Sequence, residues 1–182
     1  MNKFKLSLNY GTAAGLVSFV IFIITYLSFE SPLEFAQWLM FWVPAVGIYM
    51  LIKKYRNEIN GGFISFGNAF QISGVFSLIY SSFVAIAVYL FVWLVDGSIF
   101  EKFKNSSVSR MEEQLEKMGD SGFTKVLEQA IAEIEKMTLE DFALSQFYNR
   151  IFWTIFLSLV MAAIMKKKQN PFETEAEKEE EI

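Results

Sequence analysis

The sequence predicts an all-α, polytopic membrane protein with four transmembrane helices. An extracytoplasmic amphipathic helical hairpin is expected between the third and fourth. Three observations predict this. Hydrophobic residues make up 53% of the 182 and charged residues 20%, with 20 Phe, 7 Tyr and 4 Trp. Charge is absent from residues 10–29, 35–52 and 59–95, runs of 20, 18 and 37 residues. A hydrocarbon core about 30 Å thick needs about 20 apolar residues of helix. Finally, basic residues gather at one end of each run, as the positive-inside rule expects. Residues 1–182 read as a single four-helix membrane domain, carrying an insertion at 96–146 and a tail at 169–182.

The first span covers residues 10–28, after Lys3 and Lys5. It is longer than the apolar core of a signal peptide, and no small-residue cleavage site follows, so it reads as an uncleaved anchor. Residues 35–52 form the second span, reached through a turn at Pro32. The third is placed at 69–95 and the fourth at 147–165, before Lys166, Lys167 and Lys168. Arg150 is expected to snorkel outward there, with Phe147 and Tyr148 extending the apolar surface. Trp38, Trp93, Trp153 and Tyr148 read as aromatic anchors at the interfaces. With four spans, all eight of Lys3, Lys5, Lys53, Lys54, Arg56 and Lys166 to Lys168 share one side. Both termini are then cytoplasmic.

The insertion, 96–146, carries 6 basic and 11 acidic residues and faces outward on this reading. A short helix is expected at 109–118, a turn at 119–122, and a second helix from Phe123 through Ile134. Thr138 with Glu140 and Asp141 reads as the start of a helix that can continue into span four. The hairpin, about 99–138, has an apolar stripe that packs internally or docks a membrane or periplasmic protein partner. The sequence leaves open whether it projects or lies on the membrane. The tail, 169–182, holds Glu173, Glu175, Glu177, Glu179, Glu180 and Glu181 and is expected to be a disordered, acidic cytoplasmic segment.

Small residues mark helix-packing faces: Gly11 and Gly15 in span one, Ser73 and Ser77 in span three, Ser158 and Ala162 in span four. Such faces serve packing within the bundle or a homo-oligomer. Pro44 near Gly47 suggests a kink in span two. A polar membrane-entry site is expected at Asn60, Gly61, Gly62, Ser65, Gly67, Asn68 and Gln71. Asn60-Gly61-Gly62 supplies a tight turn, Ser65 a helix cap, Gly67 close packing, and the two amides interhelical polar contacts. Since 33 residues from Phe63 would measure about 50 Å as one helix, an interfacial or re-entrant start to span three is expected.

Catalysis finds little footing. With 0 Cys and 0 His there is no thiolate nucleophile, imidazole base or soft metal site. No phosphate-binding loop, dinucleotide fingerprint or nucleic-acid motif occurs. No catalytic, cofactor-binding or metal-ligating residue is assigned, and no cofactor or nucleic-acid partner is expected.

The stretch Tyr55-Arg56-Asn57-Glu58-Ile59-Asn60-Gly61-Gly62-Phe63-Ile64-Ser65-Phe66-Gly67-Asn68-Ala69-Phe70 resembles a known pattern. It is similar to the Y-R-x-x-x-N-G-G-x-I-S-F-G-x-A-F core of bacterial membrane proteins catalogued as domain of unknown function 4199. The resemblance extends to the glycine-bearing first span, the Met- and Glu-rich insertion and the lysines after the last span. The insertion departs from it in lacking a proline near its end. The resemblance implies a four-helix protein of the bacterial inner (cytoplasmic) membrane and supplies no activity. The expected function is a structural, scaffold or regulatory module acting through helix packing and the outer hairpin. The alternative is a small transporter or channel component, against which the lack of charge at the span centres argues.

Overall fold

A computed structural model describes residues 2–28, 40–118 and 123–167. Among these residues it is all-α, with six helices described in full: α1 (Lys3–Ser28), α2 (Trp42–Lys54), α3 (Phe66–Leu94), α4 (Ser98–Met118), α5 (Thr124–Lys136) and α6 (Leu139–Met165). A π-helical turn, Tyr55–Ile59, extends α2. Three helices, α1, α3 and α6, are long and apolar enough to cross a membrane.

The boundaries correct several expectations. Of the predicted second span the structure describes helical Met40 and α2, whose 13 residues make about 20 Å of helix. Residues 35–39 of that span, with Trp38, lie outside the described residues. Four spans are therefore not seen. Pro44 is the third residue of α2. The helical run is interrupted at Phe41, between Met40 and Trp42, where Pro44 has no N–H to offer the Met40 carbonyl four residues earlier, so the break expected of this proline falls one turn before it. The third span starts at Phe66 rather than Ala69, and its helix runs 29 residues without interruption. That is about 43 Å, so the re-entrant start is replaced by one continuous helix, and α3 is longer than a hydrocarbon core is thick.

In the insertion the first helix begins at Ser98, eleven residues earlier than the predicted 109. Asp96 explains this, because its Oδ1 accepts the Ser98 N–H at 2.9 Å and caps the new helix. Apolar Ile99, Phe100 and Phe103 then find partners: Phe142 lies 5.5 Å from Phe100 and 4.9 Å from Phe103 between ring centroids. α5 follows the predicted helical spacing and packs on α4 as a hairpin; the intervening turn lies outside the described residues. α6 starts after Thr138 and runs unbroken for 27 residues into the apolar segment. The acidic tail is outside the described residues too.

The chain divides into two compact units. The first comprises Met1–Ala14, Trp42–Ser81 and Ile151–Ile182, the second Gly15–Phe41 and Ser82–Arg150. Within the first, α1 and α3 run parallel: Lys3 bonds Asn68, and Ser7 Oγ donates to the Ile72 carbonyl at 2.8 Å. α6 runs antiparallel to α3, Ser77 facing Ser158 and Ser81 facing Thr154. Within the second, Phe22 packs on Phe91 at 5.3 Å and Tyr26 donates to Asp96 at 3.2 Å, again a parallel pairing.

Burial is inverted relative to a water-soluble bundle. Ser7, Ser18, Thr25, Ser73, Ser77, Ser81, Thr154 and Ser158 are buried, while Leu16, Val20, Ile24, Ile86, Phe152, Phe156 and Leu159 are exposed. In water this would leave large apolar areas unpaired and conceal the groups that hydrate best. In lipid it is favourable, since small residues let backbones approach and hydroxyls bond across helices.

Candidate functional site

The polar stretch predicted at the start of the third span forms a compact structure in the first unit. α2 ends in Lys53 and Lys54, and the π-helical turn carries the chain out of the helix. The Asn60 N–H closes this turn on the Tyr55 carbonyl at 3.0 Å. Gly61 and Gly62 then take φ of 61° and 87°, values that side-chain-bearing residues rarely adopt. The reversal is held by Gly62 N–H to Arg56 O at 2.7 Å and by Asn60 Nδ2 to Phe63 O at 2.6 Å.

Beyond it, Ile64 and Lys167 form a two-bond antiparallel bridge, with N···O distances of 3.0 and 2.9 Å. The bridge ties the entry of α3 to the exit of α6. Its Ile64 side chain is buried. Ser65 accepts the Asn68 N–H at 3.3 Å and caps α3. Asn68 Oδ1 in turn accepts from Lys3 Nζ at 2.9 Å.

Of the seven predicted entry residues, Asn60, Gly61, Gly62, Ser65 and Asn68 belong to this frame. Gln71 follows one helical turn after Asn68, with an exposed side chain. Gly67 does not pack closely, since a Cβ there would meet nothing within 4 Å. Sequence reasoning had used Lys3, Arg56 and Lys167 only as orientation signals, yet the fold brings them to the same frame. Lys3 Nζ also lies 5.7 Å from the Tyr55 ring centroid, and Lys167 Nζ lies 5.5 Å from that of Phe63. Arg56 Nη1 donates to the Met165 carbonyl at 3.4 Å, and its Nε donates to Asn57 Oδ1 at 3.0 Å. Their positions in the chain, before one span and after two others, were visible; their convergence needed the fold.

The packing residues lie elsewhere. A Cβ on Gly11 would meet Ile79 at 3.0 Å and the Phe76 carbonyl at 3.2 Å, and one on Gly15 would meet Phe83 at 2.6 Å. Ser73 donates to the Ala69 carbonyl, Ser77 pairs with Ser158 at 3.0 Å, and Ala162 is fully buried one turn beyond Ser158. Among the anchors, Trp93, Tyr148 and Trp153 are exposed.

Two cavities lie in the second unit. One, of about 20 Å³, is lined mainly by apolar residues with Tyr89, Gln146 and Arg150. It has room for about one water. Arg150, expected to reach outward, instead lines this cavity and directs Nη1 to Met40 Sδ at 3.7 Å. The other, of about 330 Å³, lies in the hairpin among Glu101, Lys104, Asn105, Val108, Ser109 and Glu135. Among the described residues no group of three acids could hold a metal ion. At the mouth of the hairpin, Asp96 keeps its carboxyl below the usual range because the Ser98 side chain and N–H bond its charged form.

The family model described as "Protein of unknown function (DUF4199)" matches residues 9–167. That span includes the whole turn from Tyr55 to Phe70, the hairpin and both serine faces. No curated protein and no solved structure matches the chain.

Proposed function

The chain belongs to the DUF4199 family of proteins of unknown function, and on that premise we propose that it is a non-enzymatic scaffold or regulatory module of the bacterial inner membrane. It crosses the bilayer four times with both termini cytoplasmic and acts through helix packing and its outer hairpin.

Support for the fourth crossing comes from chain direction. α1 and α3 run parallel in each unit, and Tyr55, just past α2, stands beside Lys3 at the start of α1. α2 leads into Tyr55 and so ends beside the start of α1, as a fourth crossing between Ser28 and Tyr55 requires. The positive-inside rule then puts Lys3, Arg56 and Lys167 in the cytoplasm and the hairpin outside. Because the chain has 0 Cys, Ser121→Cys reports the side directly. Labelling in intact spheroplasts by an impermeant maleimide is the expected result; labelling only after lysis overturns the topology.

The observation that carries the scaffold reading is the continuity of α6. Phe142, which receives Phe100 and Phe103 of the hairpin, and Ser158, in the apolar segment, belong to one unbroken helix. A partner that shifts the hairpin therefore acts on the same helix that continues into the apolar segment. α5 offers it a surface, since Val126 on this amphipathic helix is 53% exposed and Phe123, just before it, 56%. A photo-crosslinking residue at Val126 in native membranes should yield a discrete protein adduct, and deletion of residues 111–137 should abolish co-purification of that protein. Absence of an adduct, together with solute flux in proteoliposomes that Gln71→Leu removes, would replace this reading with a small transporter.

A further inference from the structure

We infer that Lys3, Arg56 and Lys167 form a headgroup site for an anionic phospholipid at the entry of α3. The inference goes beyond the scaffold reading and rests only on α1, α3 and α6 lying in a bilayer. Three features carry it.

The first is charge. Lys3, Arg56 and Lys167 are placed by neutral groups: an amide oxygen, backbone carbonyls and the faces of Tyr55 and Phe63. The one carboxylate among the described residues of this unit, Glu58, lies 3.6 Å from Lys54. The cations on the frame thus bring positive charge together without a matching anion. A phosphate diester supplies that charge and acceptor oxygens for both ammonium and guanidinium donors.

The second is preorganisation. Arg56 is oriented by the Met165 carbonyl, Lys167 by the backbone bridge to Ile64, and Lys3 by Asn68. Holding the donors before the ligand arrives lowers the ordering cost of binding.

The third feature distinguishes a lipid from a free anion. Exposed apolar residues are close in the chain to the cations: Phe4 follows Lys3, Phe66 comes two residues after Ile64, the bridge partner of Lys167, and Ile164 precedes Lys167 by three. A molecule with an anionic head and acyl chains satisfies both kinds of surface at once, whereas inorganic phosphate leaves the apolar part uncovered. Clusters of Lys and Arg beside a membrane helix attract anionic lipid.

The test uses the full chain purified in an uncharged detergent, with melting temperature followed as lipid is added. Phosphatidylglycerol should raise the melting temperature at a lower mole fraction than phosphatidylcholine of the same acyl chains. Lys3→Gln/Lys167→Gln should raise the half-effective mole fraction of phosphatidylglycerol about thirtyfold, as expected for loss of two cations at a charged lipid surface. Lys125→Gln/Lys136→Gln in α5 should leave it unchanged, and Arg56→Lys should retain part of the preference. Four outcomes overturn the inference: equal stabilisation by the two lipids, an unchanged preference in the Lys3/Lys167 variant, an equal loss in the α5 variant, or the same shift from inorganic phosphate alone. A fifth is a preference that emerges only when the chain is ended at residue 168, since the three cations are then covered by the chain's own acidic tail. Failure of the membrane reading is separately visible, as a protein that stays dispersed after detergent removal.

Discussion

Ser77 Oγ lies 3.0 Å from Ser158 Oγ, and both residues are completely buried. Each hydroxyl is also within bonding distance of a carbonyl of its own helix, Ser77 with Ser73 O at 2.9 Å and Ser158 with Thr154 O at 2.8 Å. Three contacts are thus shared by two hydroxyl protons, so one contact lacks a proton at any instant. The pair holds α3 and α6 close mainly by being small, and only secondarily by its cross-helix bond.

Ser77→Ala and Ser158→Ala should therefore be mild, each lowering stability by less than about 1 kcal/mol, with a coupling near 0.6 kcal/mol in a double-mutant cycle. Ser77→Leu should be far more damaging, because it forces the helices apart. Thermal unfolding in detergent compares the three. An alanine variant as damaging as the leucine one would show that bonding, not size, holds this seam.

Glycines separate contact from open space. Gly15→Leu should lower the melting temperature without changing oligomer size, since Phe83 of the same chain occupies the space its side chain needs. Val17→Leu should cost little, because Val17 is 52% exposed. Gly74→Ala should be neutral or stabilising by up to about 1 kcal/mol, as its Cβ meets nothing within 4 Å and alanine favours the helix. Loss of a dimer in Gly15→Leu would instead place this face between two copies.

The cap at Asp96 gives the hairpin a pH dependence. Its carboxyl is held below the ordinary 3.8 first by the Ser98 side chain, then by the Ser98 N–H, and further by Tyr26. A depressed folded value means that the contribution is complete above the unfolded value and disappears as pH falls through the folded one. Hydrogen exchange at the first turn of α4 should be slow and constant above pH 4, after correction for intrinsic rates, and faster below it. Asp96→Asn should remove that acid-dependent change, whereas an identical profile in the variant would assign it to another group.

Thr138 and Asp141 cap α6 reciprocally. Asp141 Oδ2 accepts from the Thr138 N–H at 3.1 Å and the Thr138 hydroxyl at 2.8 Å, while Thr138 Oγ1 accepts the Asp141 N–H at 3.2 Å. Thr138→Ala should cost about 1 kcal/mol and increase proteolysis at the α5–α6 junction. Thr138→Ser should restore the wild-type pattern, and equal cleavage in all three would remove the cap from the account.

Much of the fold was legible because membrane helices and caps are written locally. Runs without charge marked α1, α3 and α6; apolar spacing marked α5; Thr138 and Ser65 were recognisable as helix starts; and Asn60-Gly61-Gly62 announced its turn. The early start of α4 was missed because Phe100 and Phe103 have no partner in the local sequence; theirs is Phe142, on a later helix. The inward position of Arg150 was missed for the same reason, since Met40 is 110 residues away. The candidate site divides along that line. Turn, cap and amide could be read from neighbours in the chain, because φ preferences and capping act over a few residues. The gathering of Lys3, Arg56 and Lys167 could not, because it depends on α1 running beside α3 and on Lys167 pairing with Ile64, contacts set by close packing between distant segments.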